Sequence, residues 1–197
     1  MNRREALKNS GLLAGISLST VGLGSLLQAC QQTPRVDWQP LFFTADEAPV
    51  LSAIVDTLLP ATDTPGALEL KVDMFVDTML KRVLSPDDQA HVRKGFEKFQ
   101  AITQELFGKP FTELASSERG EVLKRVGTET NRFNPSIWGS TLGVQPPIDF
   151  YRRVRQYALV GYFTSEKIGT EHLIYDPVPG EQIGCIDWPE GKNSWTL

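Results

Sequence analysis

The chain has 197 residues, 41% of them apolar and 22% charged, with a formal net charge of −4. That composition suits a folding domain rather than a disordered chain, and the length supports one domain, two at most. The mildly acidic balance, with no basic stripe in the body, excludes a nucleic-acid footprint.

Residues 1–30 read as a targeting signal rather than as fold. Asn2-Arg3-Arg4-Glu5-Ala6-Leu7-Lys8 is a short polar head, and an uncharged run from Gly11 to Leu27 follows it. Gly11, Gly15, Gly22 and Gly24 make that run a poor spanning helix, which needs roughly 20 strongly apolar residues. A basic head before a short apolar run is the signal-peptide pattern. Arg3 and Arg4 with Leu7 resemble a twin-arginine signal, read by the twin-arginine translocase, which exports proteins already folded. Ala6 stands where that motif prefers a bulkier apolar residue.

The run ends in Leu27-Gln28-Ala29-Cys30, which resembles a lipobox. Cleavage before Cys30 and acylation of its thiol would anchor the chain, since each buried CH₂ contributes roughly 0.8 kcal/mol. The expectation is an exported, periplasmic lipoprotein attached to a membrane. The mature chain from Cys30 would carry 17 basic and 23 acidic residues, a net −6. Residues 31–43 read as a tether between lipid and body.

From 44 to 164 the apolar spacing is helical, and the predicted fold is all-α, a small irregular bundle of about five helices. Thr44-Ala45-Asp46-Glu47 has capping-box spacing ahead of the stripe Val50, Leu51, Ile54, Val55, Leu58, Leu59. Pro60 ends that helix, and the turn formers of Pro60–Gly66 follow. Asp63 is read as a turn cap there rather than as part of an ion site. Val72, Phe75, Val76, Met79, Leu80 and Val83 predict a second helix. Asp73 and Asp77, four apart on it, are read as a solvated face.

Ser85-Pro86-Asp87-Asp88 opens a third helix, with serine at the cap, proline at the first position and acids on the positive end of the dipole. Its buried face is expected at Val92, Phe96, Phe99, Thr103 and Leu106, with Gly108 as the stop. His91 falls on its rim. A shorter helix begins near Ser116 or Ser117 and buries Val122, Leu123 and Val126. Residues 127–147 lack periodicity. A last helix is expected from Pro147, with Phe150, Tyr151, Val154, Tyr157, Ala158 and Tyr162 facing inward. Neither an internal repeat nor a period-2 strand is legible.

Residues 165–197 read as a long extended tail, broken by Gly and Pro yet carrying Leu173, Ile174, Tyr175, Ile183, Ile186, Trp188 and Trp195. A segment this apolar must bury itself against its own bundle or a partner. His172, Tyr175, Pro179, Cys185 and Trp188 are the candidate interface residues. Once Cys30 is acylated Cys185 stands alone, which points to a buried thiol or an intermolecular disulfide.

Catalytic, cofactor-binding and metal-binding constellations are all missing from this reading. Gly22-Leu23-Gly24 lies in the signal rather than between a strand and a helix, so no dinucleotide fingerprint is present. Neither a haem-attachment motif nor a nucleophile elbow occurs, and the two histidines, His91 and His172, stand far apart.

Three stretches together carry a resemblance. They are Leu58-Leu59-Pro60-Ala61-Thr62-Asp63-Thr64-Pro65-Gly66-Ala67; then Phe150-Tyr151 through Gly161-Tyr162-Phe163-Thr164-Ser165; then Tyr175-Asp176-Pro177-Val178-Pro179-Gly180 leading to Gly184-Cys185. Over most of residues 44–188 the chain resembles the gluconate 2-dehydrogenase subunit 3 family. The resemblance implies a non-catalytic small subunit that pairs with a large flavoprotein of the glucose-methanol-choline oxidoreductase type. FAD and the catalytic base are then expected in that partner, with a multihaem c-type cytochrome as a third component in many such complexes. It further implies help with maturation and twin-arginine export of a sugar or polyol dehydrogenase. The lipobox departs from the family pattern and would attach the complex to a membrane by lipid. A second reading of the same features is a stand-alone helical envelope lipoprotein that binds a ligand or another partner.

Overall fold

The computed structural model describes residues 38–129, 136–137, 140–141, 143–175, 180 and 195–196. The expected all-α bundle is what these residues form, with five α-helices among them. Helix α1 spans Ala48–Leu58 and buries Val50, Leu51, Ile54 and Val55. Ahead of it, Glu47 Oε2 accepts the Thr44 backbone N–H at 2.9 Å, the carboxylate half of a capping box. Helix α2, Val72–Arg82, buries Val72, Val76 and Leu80. Val83, assigned to that stripe, caps the helix instead and is exposed.

Helix α3, Pro86–Phe107, starts as its sequence dictates. The Ser85 hydroxyl accepts the Asp88 N–H at 3.2 Å, and Gly108 closes the far end at φ 65°. Leu106 is exposed, and Phe107 packs on the core in its place. The buried series 92, 96, 99, 103 leaves 106 and 107 about equally far from its centre line, and the fold takes Phe107. A 3₁₀ turn, Phe111–Glu113, sets Phe111 against Phe99, ring centroids 5.0 Å apart. Helix α4, Ser116–Thr128, buries Val122 and Leu123.

Helix α5, Phe150–Phe163, begins three residues later than its proline suggested, with Asp149 extended at the cap. It buries Phe150, Val154, Tyr157, Ala158, Gly161 and Tyr162, a stripe wide enough to meet several neighbours. It touches all four other helices, α2 and α3 most extensively, and so forms the axis of the body. Two close approaches make this possible. A Cβ on Gly95 would sit 2.5 Å from Phe150 Cβ, and one on Gly161 would sit 2.6 Å from the Phe75 ring. Around Phe150 the rings of Phe43, Phe96 and Phe99 pack edge-on, with centroids 6.4, 5.4 and 5.7 Å away.

The segment after α5 is not extended at its start. Ile168–His172 forms a π-helical turn, with Ile168 and Gly169 buried against the body. Beyond it Ile174–Tyr175 pairs in parallel with Trp195–Thr196, and Ser136–Ile137 pairs antiparallel with Ser140–Thr141. These two-residue ladders are too short to read as strands in sequence. None of the helices among the described residues is long and apolar enough to cross a membrane.

Candidate partner interface

Two of the three resemblance-carrying stretches meet in space. The turn between α1 and α2 is closed by Ala67 N–H donating to Leu59 O at 2.9 Å, and by Thr62 N–H donating to Thr64 O at 3.0 Å. From α5, almost a hundred residues on, the Tyr162 hydroxyl donates to Pro65 O at 3.0 Å and lies 3.2 Å from Thr64 Oγ1. Gly161 lets α5 lie directly on Phe75. Asp63 accepts the Thr62 hydroxyl at 3.0 Å, and the Thr62 hydroxyl in turn accepts the Thr64 N–H at 3.4 Å. Lys167, at the start of the tail, pairs with Glu69 at 2.5 Å across the same corner. The turn, the end of α5 and the base of the tail are therefore one unit.

Removing the hydroxyl with Tyr162→Phe leaves the Pro65 carbonyl short of a donor. The expected cost is about 1–2 kcal/mol, a fall of a few degrees in Tm. Calorimetry checks it, and an unchanged Tm would show the turn is held by packing alone.

The outer face of α5 faces away from the core. Leu159, Val160 and Phe163 are 36%, 44% and 48% exposed, and Phe163 is the helical neighbour of both others, at i+4 from Leu159 and i+3 from Val160. Leu41, Val83, Leu106 and Val144 are also exposed, each on a different segment outside this helix. Toward the N-terminus of the helix an open groove is lined by Ile148, Arg152, Arg155, Gln156 and Leu159. Tyr151 packs half-buried against the core near Gly127; burial pushes its phenol pKa up while Arg155 pulls against that rise. An apolar cluster flanked by arginine is the composition of a protein contact surface.

The candidate residues from the sequence are placed unevenly. His172 ends the π turn, half-buried, and the backbone of Tyr175 pairs with that of Thr196. Pro179, Cys185 and Trp188 lie outside the described residues, as do Arg3, Arg4, Leu7 and Cys30. His91 holds its rim position, with Nε2 4.0 Å from Asp149 Oδ1.

The solvated-face reading of Asp73 and Asp77 is overturned, because both are buried. Ser52 Oγ donates to Asp73 Oδ2 at 2.7 Å, and Asp77 receives three backbone N–H groups. Each has a distant partner that satisfies its charge, which a spacing argument cannot see. Conversely, Leu159, Val160 and Phe163 escaped the sequence reading. The signal was available: they are apolar positions out of phase with the inward stripe at 154, 157, 158, 161 and 162.

Among the described residues no group of three His, Cys, Asp or Glu could hold a metal ion. No curated protein and no solved structure matches the chain. A family model described as gluconate 2-dehydrogenase subunit 3 matches residues 45–180, from the cap of α1 through the whole helical body and both packed stretches. The chain belongs to the gluconate 2-dehydrogenase subunit 3 family.

Proposed function

We propose that the chain is the non-catalytic small subunit of an exported FAD-dependent sugar or polyol dehydrogenase, docking a large glucose-methanol-choline-type flavoprotein on the outer face of α5. One observation carries this reading: three exposed apolar side chains cluster on the helix that organises the body, next to the family's packed turn. In water such a cluster gains by being covered. FAD and the reacting groups belong to the partner. The chain's own part is to help that subunit mature, to supply the twin-arginine signal at Arg3-Arg4, and to attach the complex through an acylated Cys30.

Co-expression with a glucose-methanol-choline-type flavoprotein from the same genome tests the reading. The expected result is a copurifying complex whose export fails when Arg3 and Arg4 are both changed to lysine. Full recovery of active, exported flavoprotein from cells lacking this chain would count decisively against it.

A further inference from the structure

Residues 38–43 precede α1 and belong to no helix or strand. They are nevertheless held from two sides. On one side the Asp77 carboxylate, fully buried on α2, accepts the N–H of Leu41 at 2.6 Å through Oδ2. The same carboxylate accepts those of Phe42 and Phe43 at 3.1 and 3.0 Å through Oδ1. Three successive amides converging on one carboxylate form an anion nest, and each bond is charge-assisted.

On the other side Arg93 of α3 donates Nη2 to the Phe42 carbonyl and Nη1 to Glu47 Oε2, the latter at 2.6 Å. Its guanidinium lies 4.7 Å over the Phe42 ring and 5.3 Å over that of Phe43. Partial burial pushes the Glu47 carboxyl pKa up, but the Thr44 amide and Arg93 outweigh it and hold the group below its ordinary range. Both rings enter the core, Phe43 meeting Phe96 at 5.0 Å.

Two buried phenylalanines would suffice to stick this segment to the body, but apolar burial is non-directional and does not choose a register. A buried carboxylate is costly unless its bonds are made, and Asp77 takes the backbone amides of Leu41, Phe42 and Phe43, the segment leading to the tether. We infer that Asp77 and Arg93 form a clasp that fixes the point where the N-terminal tether leaves the body. Tension applied from the N-terminal side stops at Leu41 and does not reach α1. Eleven residues from Cys30 to Leu41 could span at most about 40 Å if fully extended, and opening the clasp back to Glu47 would add at most roughly 20 Å. The reach rests on the lipid-anchor part of the proposed function; the clasp itself does not.

Hydrogen exchange on the purified full chain tests it. The amides of Leu41, Phe42 and Phe43 are expected to be protected like those inside α2. In Asp77→Asn their exchange should rise about a hundredfold while the amides around Phe96 and Phe99 keep theirs. Arg93→Met keeps an apolar stem over the rings, loses both hydrogen bonds, and should raise exchange at the same amides about tenfold if Asp77→Asn does not fold. Free-chain exchange at these amides in the parent protein would overturn the clasp. So would unchanged exchange in both variants, or uniform acceleration across the whole body in both. A Cys30 found unacylated would sink the anchor alone and leave the exchange result standing.

Discussion

Phe150→Ala is expected to lower the stability of the body by about 3–5 kcal/mol, the range for removing a buried aromatic ring. The site is 2% exposed and its ring is the one that Phe43, Phe96 and Phe99 all touch. It lies at the first turn of the helix that meets every other helix. The cavity cannot collapse easily, because α3 and α5 already approach at the Gly95–Phe150 contact until a single added carbon would clash. A domain of this kind has roughly 5–15 kcal/mol in hand, so the variant should sit near the edge of folding. Urea unfolding reads the loss as a lower midpoint at constant slope. A shift worth less than about 1 kcal/mol would show that the aromatic cluster is not the centre of the core.

What was legible in the sequence was local. The Ser85-Pro86 start, the Gly108 stop and the inward stripes of α1 and α5 depend on residues within a turn or two of each other, and the structure keeps them. The misreadings come from long range. Nothing near Asp77 in sequence reveals that its carboxylate faces amides 34 to 36 residues earlier, nor that Asp73 finds Ser52. Periodicity therefore placed both on the wrong side of their helix. Leu106 is misplaced for a milder reason: 106 and 107 flank the inward line about equally, and packing takes Phe107.

The start of the tail misled through its composition. Gly169 suggested extended chain, yet Ile168 has a core site to fill, and that burial favours a helical turn over local propensity. The candidate site was half legible. The turn and the Gly161-Tyr162 step were recognised as a pattern, but only packing shows that one holds the other. The exposed triad on α5 was absorbed into a helix already credited with enough apolar residues.

A paired change, Leu159→Glu with Phe163→Glu, is expected to abolish copurification of the flavoprotein partner while leaving the body folded. Truncating a buried aromatic anchor at an interface typically costs 2 kcal/mol or more, and a carboxylate placed in an apolar contact adds its own desolvation. Together they should weaken binding by at least about a hundredfold. Stability should barely move, because both side chains point away from the stripe that meets α2 and α3, and exposed substitutions usually stay within about 0.5 kcal/mol each. Leu106→Glu, also exposed and apolar but on α3, is the matched control and should copurify normally. The comparison is informative because α5 organises the core while Leu159 and Phe163 stand exposed on it: a lower Tm in the paired variant would mean the triad supports the fold, whereas normal Tm with lost partner assigns it to docking. Normal Tm with undiminished copurification would remove α5 from the interface and leave the tail, from His172 and Tyr175 to Trp188, as the surface to be tested.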